Sequence, residues 1–260
     1  MTCLESAAMS QPHVLYCGDT SLDGAAAYLA GLMTSWGWNF TYVPSDQRLS
    51  DAEQSAEPSL FIFSDYPAEQ ADSSLQTQII ERVHSGAGLL MIGGWESYHG
   101  LGGNWDGTPI ADALPVEISS DDDRRNCDQP VFVQPAGVSH PVTDGLPWSE
   151  RPPLIGGFNE FSPKPGSQIL LQSMRFEASF AGGTPSLEPS STAPLLVTGN
   201  HGAGRTAALA TDVAPHWIGP MVDWGTERVT ARADRAGDVE VGNLYAAFFK
   251  NLLSWTAKIT

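Results

Sequence analysis

The first hundred residues predict an α/β fold, a parallel sheet with helices on both faces. Two observations carry this. Short apolar runs at His13–Cys17, Asn39–Val43, Ser59–Ser64 and Gly88–Ile92 alternate with stretches that show helical periodicity. The runs Ser59–Ser64 and Gly88–Ile92 are apolar almost throughout, as strands buried on both faces are. Such alternation implies right-handed crossovers between parallel neighbours. The length of 260 residues suits one large α/β domain or two small ones, with room for a sizeable core. The polar, small-residue stretch 1–12 reads as a flexible tail and 13–260 as a single domain.

The elements follow in order. His13–Cys17 is strand one, and Gly18-Asp19-Thr20-Ser21 is a turn able to cap a helix. Leu22, Ala25, Ala26, Leu29, Leu32, Met33 and Trp36 share one helical face, and Gly37 closes that helix. Strand two is Asn39–Val43, a helix is expected after it, and Ser59–Ser64 is strand three. Leu75, Ile79, Ile80 and Val83 mark a helix stopped at Gly86, before strand four at Gly88–Ile92.

From about Asn104 to Pro194 prolines and glycines are frequent and the charge pattern is irregular. Val131–Val133 and Ile169–Leu171 look like short strands, and Thr184–Ser191 (TPSLEPSS) reads as a mobile loop. The region is expected to be an antiparallel or irregular insertion around the sheet. Pro194–Thr198 and Thr206–Thr211 then form a hairpin through the glycines of Asn200–Arg205. Val241, Leu244, Tyr245, Phe248, Phe249, Leu252, Leu253 and Trp255 mark a final core helix. Asp238 and Glu240 fall near its start and Lys250 near its end, which suits the helix dipole.

Thirteen basic residues against thirty acidic ones give a net charge of −17. A surface this negative repels nucleic acid and anionic membrane, so neither is expected as a partner. Three scattered cysteines, Cys3, Cys17 and Cys127, make no disulfide framework, and without a CxxC pair a thiolate zinc site is not expected. The N-terminus lacks the basic and apolar regions of a signal peptide, and no apolar run approaches the roughly twenty residues of a membrane span. The expected location is the cytoplasm. No cofactor is expected, and whether a metal binds is left open.

Ligands of parallel α/β sheets sit at the carboxyl ends of the strands. Here those ends carry Gly18-Asp19, Ser64-Asp65-Tyr66 and Gly93–Ser97, read as one candidate site. Leu89–Gly103 has the strand-to-glycine shape of a nucleophile elbow, but Trp95 falls where the nucleophile would stand. Ser97 lies two residues further on without the flanking glycines, and Glu96 can act as a base, hold a cation or bond nearby backbone. Asp212 ends an apolar run and His216 follows four residues later, past Pro215. The aspartate can orient the histidine as a general base, or both can ligate a metal. Alternatively Asp212 bonds loop amides while His216 packs beside Trp217. In Asp121–Arg125 an Asp–Arg pair braces a loop or grips a carboxylate. The candidate catalytic residues are therefore His216, Asp212 and Glu96. The candidate pocket residues are Asp19, Asp65, Trp95, Ser97, Arg124, Asn159 and Trp217.

The motifs SDY (64–66), GGWESYHGLGG (93–103), LPVEI with DDDR (114–124), SHPVTDGLP (139–147), GGFN (156–159), PLLVTGNHGAGRTAALATDVAPHW (194–217) and FFKNLLSW (248–255) occur in this order. Together they resemble the glutamine amidotransferase-like family, related to class I glutamine amidotransferases and trehalose-utilisation proteins. The resemblance implies a flavodoxin-like three-layer sandwich with a central, mostly parallel sheet. Class I amidotransferases carry a cysteine at the elbow and a His-x-Glu pair after a late strand. Trp95 looks to hold the cysteine position, and Trp217 and Ile218 follow His216 where the glutamate would be.

Three readings follow. The first is a small-molecule-binding or assembly module, without glutaminase activity, whose partner is a small polar molecule. The second is a hydrolase or metal-assisted enzyme that uses Asp212 and His216 with Glu96. The third is a structural subunit of a homo-oligomer, suggested by eight tryptophans.

Overall fold

The computed structural model describes residues 11–50, 53 and 57–259 of the chain. The first strand, β1 (His13–Gly18), leads through turns at 19–25 into α1 (Ala26–Ser35). The helix starts four residues later than its apolar face suggests. Ser21 caps the turn instead: its hydroxyl accepts the Asp23 N–H at 3.1 Å and its carbonyl accepts the Gly24 N–H. Next come β2 (Asn39–Pro44), β3 (Leu60–Ser64), α2 (Ser73–His84) and β4 (Gly88–Ile92). Every residue of β3 and β4 is buried, which accounts for their unbroken apolar sequence. At about 1.5–3 kcal/mol per buried large apolar side chain, Leu60, Phe61, Ile62 and Phe63 alone contribute substantially to the core. The helix expected between the second and third strands lies largely outside the described residues.

The middle region holds α3 (Pro109–Ala113), β5 (Val116–Ile118), β6 (Arg124–Pro135), β7 (Leu154–Asn159), β8 (Phe161–Pro163) and β9 (Gln168–Ala181). It continues into β10 (Thr184–His201) and β11 (Gly204–Leu209). The chain closes with α4 (Pro215–Ile218), the hairpin β12 (Arg228–Ala231) and β13 (Val239–Gly242), and α5 (Asn243–Thr256).

One nine-stranded sheet organises these elements, in the order β2-β1-β3-β4-β11-β10-β9-β6-β7. The first five of these strands run parallel, the flavodoxin-like 2-1-3-4-5 order with β11 as its fifth member. Strand order reverses between β1 and β3. Right-handed crossovers then put α1 on one face and α2 on the other. The middle region is an antiparallel extension of the same sheet, because β10, β9, β6 and β7 add to the β11 edge strand by strand.

Two expectations are corrected. Residues 184–191 are a strand and not a mobile loop. Gly182 and Gly183, at φ 61° and 84°, make a two-residue hairpin turn, and TPSLEPSS pairs antiparallel with Arg175–Ala181. Val239–Gly242 belongs to β13, so no acidic residue lies in the first turn of α5. Glu240 faces Arg228 across the hairpin at 3.0 Å instead of the helix dipole.

Candidate functional site

The carboxyl ends of β1, β3, β4 and β11 surround a cavity of about 410 Å³ at the point where the strand order reverses. Asp19, Asp65, Trp95, Glu96, Asp212 and His216 line it, with Thr20, Ala25, Leu101 and Ala214. This is where a doubly wound sheet leaves a crevice, because neighbouring crossovers depart to opposite faces.

Asp65 is the centre of the arrangement. Its backbone sits at φ 51°, a left-handed conformation that aspartate tolerates better than most residues. Its N–H donates to the Ser97 hydroxyl at 2.9 Å, and its Oδ1 accepts the Glu96 N–H at 2.9 Å. The β3 and β4 loops are thereby stitched together. Burial pushes the Asp65 carboxyl up to about 7, helped by the charges of Asp19 and Glu96 and opposed by the backbone N–H groups of Glu96 and Trp95. Asp212 moves the same way: burial raises it well above the ordinary range, and the Asp65 charge raises it further. Glu96 is raised by burial as well, against a stabilising hydrogen bond from Ser45.

Asp212 and His216 are not hydrogen-bonded to each other. The Asp212 Oδ1 accepts the N–H groups of Val213 and Ala214, so the carboxylate shapes its own loop. The His216 ring is exposed and packs against Trp95, centroids 5.7 Å apart. The Trp95 ring is also 4.6 Å from the Arg124 guanidinium, which Asp122 holds through Nε at 2.9 Å and Nη2 at 2.8 Å.

Four residues expected in the pocket do not line it: Arg124 reaches only the Trp95 ring, and the other three stand behind the walls. Ser97 is buried and props Asp65. Asn159 is buried, accepts the Gly94 N–H at 3.0 Å and donates to Asp123 Oδ1 at 2.7 Å. Trp217 is buried and donates to Asn126 Oδ1 at 2.8 Å, its indole filling the space beside Gly157.

Asp123, read from the sequence only as part of a charge run, holds the loop after the turn. It accepts the N–H groups of His99 at 3.0 Å and Gly100 at 3.1 Å besides the Asn159 amide. Tyr16 sits inside the apolar strand β1, beside the site. It is 1 % exposed, and its ring leans along β1 over Gly18, where a Cβ would lie 3.2 Å from the hydroxyl. Among the described residues no three His, Cys, Asp or Glu side chains converge closely enough to hold a metal ion.

The fold is shared with solved structures. Cytoplasmic protein STM1381 from Salmonella typhimurium LT2 superposes with a TM-score of 0.70 at 23 % identity, over 94 % of this chain and 99 % of that one. Cytoplasmic protein STM3548 from Salmonella typhimurium superposes at 0.68 with 21 % identity, over 94 % and 98 %. The mmIFT52 N-terminal domain follows at 0.53 with 10 % identity, over 94 % and 96 %. At these identities the likeness is one of fold. No curated protein sequence matches the chain. No helix among the described residues is long and apolar enough to cross a membrane. The family model described as "Putative glutamine amidotransferase" matches residues 61–229, from β3 to β12 and through every loop of the pocket but the first. The chain belongs to that glutamine amidotransferase-like family.

Proposed function

We propose that this protein binds a small polar molecule in the switch-point cavity and releases no ammonia from glutamine. The observation that carries this reading is the occupant of the glycine turn. Trp95, not a thiol, stands there, and it lines the cavity together with the acidic Asp19, Asp65, Glu96 and Asp212. A thioester with glutamine needs a thiolate at the turn. Cys17 is fully buried within β1 and Cys127 lies in β6, so neither supports that chemistry. The names of the similar Salmonella proteins support a cytoplasmic location. The test is paired. Purified protein is assayed for ammonia release from glutamine, and a panel of small polar metabolites is screened by thermal shift. The reading expects no ammonia and at least one stabilising compound, whose effect is lost in Asp65→Asn and Asp212→Asn. Ammonia release, or a panel without a single stabilising compound, would reject it.

A second reading, self-assembly, is favoured by the β9–β10 arm. Beyond Arg175 its two strands leave the sheet, and register places Phe176, Ala178 and Phe180 opposite Pro189, Leu187 and Pro185 on one face. Phe180 is 74 % exposed and Leu187 45 % exposed. The other face carries Glu177 and Glu188. For a chain of net charge −17, two copies meet most easily through such an uncharged strip. Light scattering after gel filtration tests this: a dimer that becomes monomeric in Phe180→Ser supports it, and a monomeric parent chain rejects it.

A further inference from the structure

We propose that two copies of this chain pack face to face through the outer part of the sheet, each seating its Phe180 in a groove of the other between Phe132, Pro135, Trp148 and Pro152. The proposal rests on the self-assembly reading above and names the surface that receives the arm. Three features lead to it.

The first is a sheet face without charge. Strand alternation puts Leu154 of β7, Phe132 and Gln134 of β6, and Gln172, Met174 and Phe176 of β9 on one side. All six are uncharged, and all are half-buried in the single chain. The opposite side of the same strands is core at Val131, Val133, Ile155 and Ser173, and it turns acidic on the arm at Glu177 and Glu188. The Phe132 and Phe176 rings touch, centroids 4.8 Å apart, so the uncharged side runs unbroken from the sheet onto the arm. A second copy of a chain with net charge −17 is repelled by acidic surface and meets no like charge here.

The second is a projection with a matching socket. Phe180 stands largely exposed at the tip of the arm, beside the Gly182-Gly183 turn. At the root of the same face lies a groove of about 300 Å³, lined by Phe132, Gln134, Pro135, Trp148, Ser149 and Pro152 and by no charged residue. Aromatic side chains seated in such pockets carry much of the energy of an interface. The arm is held ready, because the Gln129 Oε1 accepts the Ala178 N–H at 2.8 Å, just beyond the last residue that β9 pairs with β6. Pro185 and Pro189 offer no N–H to a strand added along β10, so contact falls to the face and not the edge.

The third is symmetry. A two-fold axis crossing β9 between Phe176 and Glu177 carries Phe180 of one copy to the level of Ser173 of the other. Register sets Gln134 beside Gln172 and Phe132 beside Met174, so that level falls between two residues of the groove. Both Phe180 rings therefore reach a groove in one closed contact, with the two sheet faces about 10 Å apart. Closed two-fold pairs through one self-complementary patch are the commonest homo-oligomers.

Sedimentation equilibrium over a range of protein concentrations reads the mass and the dimer dissociation constant. The expected parent is a dimer. Phe180→Lys and Gln134→Glu should each raise the dissociation constant roughly tenfold or more, the loss of a seated anchor. The double variant should dimerise more tightly than either single one, because the introduced charges then attract across the contact. Glu188→Gln, on the back of the arm, should behave as the parent does. A dimer weakened by Phe180→Lys but not by Gln134→Glu, or a double variant no tighter than the single ones, overturns the groove and leaves self-assembly through the arm standing. Masses above the dimer overturn the two-fold arrangement. A dimer that Phe180→Lys does not weaken overturns both readings. So does a monomeric parent, which leaves this face to a partner of another sequence.

Discussion

The carboxylate of Asp65 occupies the space that a side chain on Gly94 would need: a Cβ at position 94 would lie 2.1 Å from Asp65 Oδ2. The glycine of the turn and the acid of the neighbouring strand are thus one device. Gly94→Ala should destabilise the chain by about 1–3 kcal/mol through overpacking, read as a shift in urea midpoint. Because the obstacle is a side chain, Asp65→Ala should recover much of that loss in the double variant. Gly93→Ala has no such remedy, since its Cβ would stand 1.9 Å from the Ala210 carbonyl oxygen. Equal behaviour of the two alanine variants in the Asp65→Ala background would show that the contact is not what matters.

Stability should fall as pH rises toward neutrality. The Asp65 carboxyl titrates at about 7 in the folded chain, while an unfolded aspartate titrates near 4. Between those values the folded chain holds a proton that the unfolded chain has lost. The stabilisation is full below about 4 and is lost progressively up to about 7. Asp212 acts in the same sense, and Asp19 and Glu96 add to the repulsion. In Asp65→Asn the downward slope should flatten, because the amide neither ionises nor repels Asp212. Melting temperatures measured from pH 4 to 8 for both proteins check this, and parallel curves would refute it.

Periodicity reveals most of this fold where burial is two-sided or one-sided. Leu60–Ser64 and Gly88–Ile92 are apolar because both sheet faces are covered, and the α5 stripe is apolar because one face is. The β9–β10 arm escapes that logic. Its outer half buries little, so prolines and serines persist in it, and only the Gly182-Gly183 turn signal betrays a hairpin. The site is legible in part for the same reason. Asp19, Asp65 and Asp212 end apolar strands, where a polar residue stands out. Trp95 also stands out, as the bulky side chain that follows the glycines of the turn, and it does line the cavity. Ser97 is a polar residue in a turn and Asn159 one at the end of β7, and nothing local distinguishes a prop from a ligand contact.

Asp123 is such a prop, and its loss should be severe. It is 2 % exposed and accepts three hydrogen bonds, from His99, Gly100 and Asn159. Asp123→Ala leaves those donors without an acceptor, and a loss of about 2–4 kcal/mol is expected in denaturant unfolding. Asp122→Ala, one residue away, removes an ion pair with Arg124 whose carboxylate is half exposed, leaves no buried donor without an acceptor, and should cost no more than about 1 kcal/mol. Similar losses in the two variants would contradict the bracing role.

Thiol reactivity gives a last, independent check on the chemistry of the turn. An amidotransferase nucleophile is an accessible thiolate with a lowered pKa. Cys17 is the opposite: it is fully buried in β1, and burial pushes its thiol up, with the Glu53 charge adding to the effect. Cys127 is partly buried and is raised by burial too, although Arg175 opposes the shift. A disulfide reagent should therefore leave Cys17 untouched in the native chain and label it only after unfolding. The amplitude lost in Cys17→Ala should appear in the denatured sample alone. Rapid native labelling at position 17, or ammonia release that Cys17→Ala abolishes, would place an activated thiol in this fold and return glutamine to the list of substrates.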